Sequence, residues 1–274
     1  MINFKKQKTI SELCKYYFER RMIKILLLGA ISGFPWVIIG SSLTLWLNEE
    51  GLSRSTIGWA GLIFAVYAFN YLWAPLIDRI YIPYLTKKIG HRKSWIFLMQ
   101  SIIIFCLIFW NFFEPSTNLG LVIGIGLVIA ISSSTQDITI DALRIEQIRP
   151  DEKEAMSAGA AIAVVGWWSG YKLGGAFALN LAQFFQNLGF ESYWKLAFIG
   201  LSIIIVLFNI GILFIEEKNF SNKKKIQSNL DNKILNSLNI KNFFSKFIAW
   251  TSSTVSGPVI SFFKKNGFNI AIAI

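Results

Sequence analysis

The sequence has 274 residues, of which 54% are hydrophobic and only 16% are charged. The charged residues fall in short clusters between long apolar runs, which excludes an ordinary soluble domain and is typical of a polytopic membrane protein. The net charge of +11 does not indicate nucleic-acid binding, because the basic residues flank the apolar runs instead of lining a polar face.

Cysteine and histidine are too scarce for a metal centre or a disulfide framework. Cys14 lies in a basic segment and Cys106 inside an apolar run, which indicates two unpaired thiols. His91 is the single histidine of the sequence. We therefore expect no metal, no cofactor and no catalytic Ser/His/Asp set, and we predict that the protein is not an enzyme.

Six apolar segments are long enough to cross about 30 Å of hydrocarbon, which takes roughly 20 helical residues. In chain order they are predicted near residues 25–47, 56–77, 95–113, 119–141, 155–185 and 194–215. The pattern predicts an all-α fold with four regions: a basic N-terminal segment 1–24, a six-helix transmembrane bundle 25–215, a cytoplasmic linker with an interfacial segment 216–265, and the truncated start of a seventh helix, 266–274.

The basic residues predict the orientation of these segments. Of the 27 lysines and arginines, 24 precede the first segment, follow the sixth, or lie after the second and fourth segments. By the positive-inside rule, this asymmetry places the N-terminus and residues 216–265 in the cytoplasm.

The loop after the second segment has a recognisable pattern. In "APLIDRIYIPYLTKKIGHRKSW", residues 74–95, Asp78 and Arg79 end the second segment, and a glycine followed by Arg92 and Lys93 opens the third. These parts resemble the cytoplasmic loop between helices two and three of major facilitator superfamily transporters. The connection 80–89 is longer than the usual motif of the superfamily, and this length is a feature of one branch.

The end of the fourth segment resembles the same branch. "STQDITIDALRIE", residues 134–146, is similar to the signature of AmpG-type muropeptide permeases and the related acetyl-coenzyme A transporters. Three further stretches support the resemblance: "SGFPW" at 32–36, "YLWAPLIDR" at 71–79 and "PVISFFKKNG" at 258–267.

The resemblance implies a function and a location. It implies proton-coupled import of anhydro-muropeptides from cell-wall recycling across the bacterial inner membrane, with substrate bound between two six-helix halves that rock against each other. The sequence supplies the first half, so transport would require a separately encoded C-terminal half or a second copy. The alternatives are a transporter of another anionic solute such as acetyl-coenzyme A, and a non-transporting remnant of a split or truncated permease gene.

Two aspartates in the fourth segment are the leading candidates for proton coupling. Asp137 and Asp141 are four residues apart and share one helix face. That face is expected to point into the bundle, because an ionised aspartate facing lipid costs about 2.5–3.5 kcal/mol at mid-depth. Either carboxylate, with the neighbouring Gln136, is a candidate to take up a proton or contact substrate. The alternative for Asp141 is that it pairs with Arg144 and anchors the helix end.

Five charged residues are candidates for a conformational gate at the cytoplasmic helix ends: Asp78, Arg79, Arg92, Lys93 and Arg144. The resemblance implies that they form a charge cluster that holds helices together in one state and releases them in the other. The alternative is a basic loop that only sets the topology, with ordinary helix-end charges.

The fifth segment combines a glycine series with a lone lysine. Gly166, Gly170 and Gly174, at four-residue spacing, predict close packing against a neighbouring helix. Lys172 lies between them near mid-membrane and is a candidate to attract an anionic substrate, or else it extends to the interface.

Gly29, Gly33 and Pro35 in the first segment permit a kink. The tryptophans at 36, 46, 167 and 168 either contact sugar faces or belong to the interfacial belt.

Overall fold

The computed structural model describes residues 15–217 and five residues beyond them, Asn229, Trp250, Thr254, Phe263 and Lys264. The predicted start of a seventh helix, most of the predicted linker 216–265 and residues 1–14 lie outside the described residues. Those that are described form two units: one holds residues 15–71 and 82–217, and the other holds residues 72–81 with those beyond 217. The described residues contain helices and no strands, so the all-α prediction is confirmed.

Six long helices overlap the six predicted segments. They are α1 (Arg20–Glu49), α2 (Arg54–Leu72), α3 (His91–Phe112), α4 (Pro115–Glu146), α5 (Lys153–Asn187) and α6 (Tyr193–Leu213). Two short helices, Ala74–Arg79 and Leu85–Ile89, lie between α2 and α3. The predicted second segment extended to residue 77, but α2 ends at Leu72, because Pro75 has no N–H with which to continue the helical hydrogen bonds.

Five of the six long helices are long and apolar enough to cross a membrane, and α5 is the exception. Its 35 residues would rise about 52 Å, which is long enough to cross a membrane. Its composition, and not its length, therefore distinguishes it from the other five helices. Glycines and Lys172 interrupt its apolar residues, and its buried stripe faces protein, since Gly166, Gly170 and Gly174 are buried.

Helix α1 changes geometry halfway along its length. It is α-helical over Arg20–Gly33, π-helical over Val37–Ser42 and α-helical again over Leu43–Glu49. Pro35 cannot donate a hydrogen bond to the carbonyl oxygen of Ile31, four residues earlier. The side-chain amide of Gln136 in α4 donates to that oxygen instead, at 3.0 Å. The buried Gln136 therefore compensates for the proline and ties α4 to α1.

Helices α1 and α5 touch through their backbones. A Cβ atom on Gly33 of α1 would overlap the carbonyl oxygen of Trp167, and one on Gly170 of α5 would overlap the carbonyl oxygen of Ala30. Glycine at these positions is what lets the two main chains approach so closely. The two helices therefore form one closely packed pair.

The largest apolar cluster lies around three aromatic rings. Trp46 of α1, Trp110 of α3 and Phe198 of α6 pack with centroid distances of 4.9–5.8 Å. The indole N–H of Trp110 donates to the carbonyl oxygen of Val122 at 3.0 Å. Trp46 is only 2% exposed and packs inside this cluster, and its role as a sugar contact or an interfacial belt residue stays a prediction.

Candidate functional site

A groove of about 300 Å³ opens between α1, α4 and α5. It lies beside the second half of α4 and the first halves of α1 and α5. Its lining consists of small and apolar residues, three charged side chains, a serine and an indole, namely Gly29, Ser32, Asp137, Ile140, Asp141, Arg144, Ala160, Ala163, Val164 and Trp167. The groove thus joins Asp137 and Asp141 with Arg144, three of the residues that the sequence singled out.

Asp137 is partly buried at the wall of the groove. The hydroxyl of Ser32 in α1 donates a hydrogen bond to its Oδ1 atom. Ser32 itself is only 6% exposed, so this contact spans the packed interface of α1 and α4. Any change in the charge of Asp137 therefore acts directly on the contact between these two helices.

Asp141 and Arg144 form an ion pair one helical turn further along α4. The guanidinium Nη2 lies 3.0 Å from Asp141 Oδ1, and the Asp141 side chain is 66% exposed against 18% for Arg144. Both residues line the groove. The pair therefore offers a hydrogen-bond acceptor and donors in the open part of the groove.

An aromatic wall, formed by Trp36, Tyr67, Trp167 and Tyr171, continues from the groove. Trp167 packs edge-on against Trp36 at 5.5 Å and stacks on Tyr171 at 5.7 Å between ring centroids. Tyr67 contacts Trp36 at 4.7 Å and donates its hydroxyl to Ser133 Oγ at 2.7 Å. The wall connects α1, α2 and α5, and Trp167 is the ring of the wall that lines the groove.

Comparison with known proteins identifies the family to which this chain belongs. Residues 25–273 match the Major Facilitator Superfamily over nearly the whole chain. The chain belongs to the Major Facilitator Superfamily. It is therefore a member of a family of multi-pass membrane transporters, not of enzymes, and such transporters act on small-molecule substrates within a lipid bilayer.

The curated relatives of this chain confirm its resemblance to AmpG-type proteins. The chain is 33% identical over 253 residues to "Putative transporter AmpG 4" of Rickettsia conorii, covering 92% of this chain and 55% of the relative. It is 37% identical over 216 residues to "Putative transporter AmpG 1" of the same organism, covering 75% and 51%. With the "Anhydromuropeptide permease" of Escherichia coli K12 it shares 32% identity over 196 residues, covering 71% and 38%. The chain spans about half the length of the curated relatives it matches.

Two of the predicted gate residues, Arg92 and Lys93, lie at the start of α3. The carboxylate of Glu217 accepts hydrogen bonds from the backbone N–H groups of Arg92 and Lys93, at 2.9 and 3.2 Å. The guanidinium of Arg92 also lies 3.7 Å from the carboxylate of Glu146 in α4. The start of α3 is thus held by carboxylates near the ends of α4 and α6.

The remaining gate candidates are in different places. Asp78 and Arg79 end the short helix Ala74–Arg79 in the second unit, where the Arg79 guanidinium lies 6.0 Å from the ring centroid of Trp250. Arg144 lines the groove in the first unit and pairs with Asp141. The gating role of these residues stays a prediction.

Lys172 and Gln136 lie outside the lining of the groove. Lys172 is exposed, and its ammonium lies 5.5 and 5.4 Å from the ring centroids of Trp168 and Tyr171. Among the described residues no carboxylate lies within 4 Å of it. Gln136 is fully buried and bonds to Ile31, as described above.

Ser32 was not among the residues that the sequence singled out, whereas Trp167 was one of four tryptophans predicted either to contact sugar faces or to belong to the interfacial belt. A signal for Ser32 was present, because Gly29, Ser32 and Trp36 follow one another at helical spacing and therefore share a face of α1. No comparable pattern marks Trp167, which is one of two adjacent tryptophans. Only the packing of α5 on α1 decides which of the two lines the groove.

Proposed function

We propose that this chain forms one half of a proton-coupled importer of anionic, muropeptide-like solutes. Membership of the Major Facilitator Superfamily supports transport. The printed name of the Escherichia coli relative supports the substrate class. The groove between α1, α4 and α5 supports the position of the coupling site.

The observation that carries this proposal is the placement of Asp137. Its carboxylate lies at the wall of an open groove and contacts Ser32 across the α1–α4 interface. A carboxylate at membrane depth is costly when ionised and is therefore a functional-site candidate. Protonation of Asp137 removes the charge that Ser32 stabilises, so it changes the packing between the two helices during transport.

The other charged residues have separate roles in this proposal. Lys172, exposed and without a carboxylate partner among the described residues, attracts the anionic part of the solute. The Asp141–Arg144 pair contributes polar contacts in the groove. Asp78, Arg79, Arg92 and Lys93 belong to the cytoplasmic gate, to which Arg144 also contributes.

The proposal includes location and assembly. The protein lies in the bacterial inner membrane, with its N-terminus and residues 216–265 in the cytoplasm. The second half of the translocation pathway corresponds to the part of the relatives that lies beyond the matched region, since the relatives are about twice as long as that region.

Uptake of labelled anhydro-muropeptide into membrane vesicles tests the proposal. Vesicles that contain the chain, alone or with a co-expressed second half, are expected to accumulate the label under an inward proton gradient and to lose this ability when an uncoupler is added. Asp137→Asn is expected to abolish uncoupler-sensitive uptake. Asp151→Asn is the matched control, because Asp151 is exposed in the loop before α5.

Three results would contradict the proposal. Uptake that is insensitive to the uncoupler would exclude proton coupling. Uptake of labelled acetyl-coenzyme A, with none of labelled muropeptide, would identify a different anionic solute. The absence of uptake both alone and with the second half would favour a remnant without transport activity.

A further inference from the structure

We propose that the groove is a subsite for a neutral pyranose ring, which stacks on the indole of Trp167 while its hydroxyl groups bond to the Asp141–Arg144 pair. This inference rests on the proposed function, because it takes the groove to be part of the substrate site. It assigns the sugar portion of the solute to the groove and leaves the anionic portion to Lys172.

The charge of the groove disfavours an anionic group as its occupant. Asp137 and Asp141 contribute two carboxylates, and Arg144 is the one cation among the lining residues. A solute carboxylate would meet a net negative site when both aspartates are ionised and a neutral one when Asp137 is protonated. In neither state does the groove carry the excess positive charge that favours an anion. A ring of hydroxyl groups carries no charge and does not require such an excess.

The lining matches the two kinds of surface that a pyranose presents. Its faces consist of C–H groups, which pack against an aromatic ring, and its edge carries hydroxyl groups, which both donate and accept hydrogen bonds. The exposed Asp141 carboxylate accepts and the Arg144 guanidinium donates, and the pairing at 3.0 Å holds both in position. A volume of about 300 Å³ is at the small end of ligand pockets, which suits a single ring.

Trp167 is positioned rigidly for this role. A Cβ atom on Gly33 would lie 2.8 Å from the carbonyl carbon of Trp167, and one on Gly29 would lie 3.0 Å from its nitrogen. The backbone of Trp167 is therefore in direct contact with α1. Side chains carried on such closely packed elements are better preorganised for binding than side chains on loops.

The ring contacts of the Trp167 indole do not bury it completely. Tyr171 stacks on one face with an interplanar angle of 23°. Trp36 and Trp168 pack edge-to-face against the ring, at 70° and 82°. Trp167 is nevertheless only partly buried and lines the groove, so part of its ring is accessible to a sugar.

Equilibrium binding of N,N′-diacetylchitobiose to the purified full chain in lipid nanodiscs tests the inference. The wild-type chain is expected to bind this neutral disaccharide and not the anionic dipeptide Ala-Glu at the same concentration. Trp167→Ala is expected to weaken binding roughly tenfold, the upper range for an aromatic contact, and Trp167→Phe to weaken it less. Asp141→Asn is expected to weaken binding as well.

Trp59→Ala is the matched control, because Trp59 is 70% exposed and lies outside the groove, so its removal is expected to leave binding unchanged. Thermal unfolding of each variant establishes that the chain is folded. Unchanged disaccharide binding by folded Trp167→Ala, or binding of the dipeptide in place of the disaccharide, would overturn the inference. Disaccharide binding without any uptake in vesicles would refute the proposed transport but not the subsite. Conversely, uptake that depends on Asp137 but is unaffected by Trp167→Ala would refute the subsite but not the proposed transport.

Discussion

Replacement of Gly170 by alanine tests the direct backbone contact between α1 and α5. The new Cβ atom would overlap the carbonyl oxygen of Ala30 and lie 2.8 Å from the carbonyl carbon and Cα atom of that residue. These are main-chain atoms of a packed helix, so they cannot rotate away as a side chain would. Since carbon atoms pack at about 3.5–4.0 Å, the helices must separate locally by about 1 Å.

The distance by which α1 and α5 must separate determines how much the free energy of unfolding falls. An opening of about 0.5–1 Å forfeits a quarter to a half of the dispersion energy of each affected contact, and overpacking a well-packed site costs about 1–3 kcal/mol. We expect about 3 kcal/mol at Gly170, because its neighbours are backbone atoms. Alanine recovers about 1 kcal/mol through its higher helix propensity, so the net loss in the free energy of unfolding is about 2 kcal/mol.

Gly175→Ala is the matched control on the same helix. A Cβ atom at Gly175 has no atom within 4 Å, so this variant gains only the propensity of alanine and is expected to be stabilised by up to about 1 kcal/mol. Denaturant unfolding of both variants in detergent micelles measures the difference, which is expected to be about 3 kcal/mol. Equal stability of the two variants would refute the close α1–α5 contact.

Two further predictions concern the hydrogen bonds that stabilise helix ends and kinks. Gln136→Leu leaves the Ile31 carbonyl without a donor at similar side-chain volume, so we expect a loss of about 1–3 kcal/mol in the same unfolding assay; unchanged stability would contradict the role assigned to Gln136. Hydrogen bonds from Arg21, and then from Arg149, lower the pKa of Glu152 from 4.5 to about 2. Since this pKa is lower in the folded protein, the stabilisation is fully present above about pH 4.5 and is lost as the pH falls through 2. Glu152→Gln is therefore expected to lower the melting temperature at neutral pH and to match the wild type at strongly acidic pH, whereas a pH-independent gap would exclude this cause.

The sequence was sufficient to predict the helical architecture. Long apolar runs separated by charged clusters predict helices, because in a membrane the backbone must satisfy its hydrogen bonds within each segment. The same local information led to the resemblance that the superfamily match confirms, since the motifs at residues 74–95 and 134–146 are contiguous in the chain.

The sequence also indicated where two charged residues would meet. Asp141 and Arg144 are one turn apart on a single helix, and helical geometry by itself brings such residues together. In contrast, the contact of Ser32 with Asp137 joins residues 105 positions apart, and no periodicity in either helix specifies it.

Tertiary packing alone decided which residues form the groove. The backbone contact at Gly33 and Gly170 sets the rotation of α5 against α1, and that rotation brings Trp167 into the groove and leaves Lys172 outside it. Local sequence determines that a segment is a helix and which of its residues share a face. Which face meets which neighbour depends on the steric fit between two whole helices, and that fit exists only once both are packed.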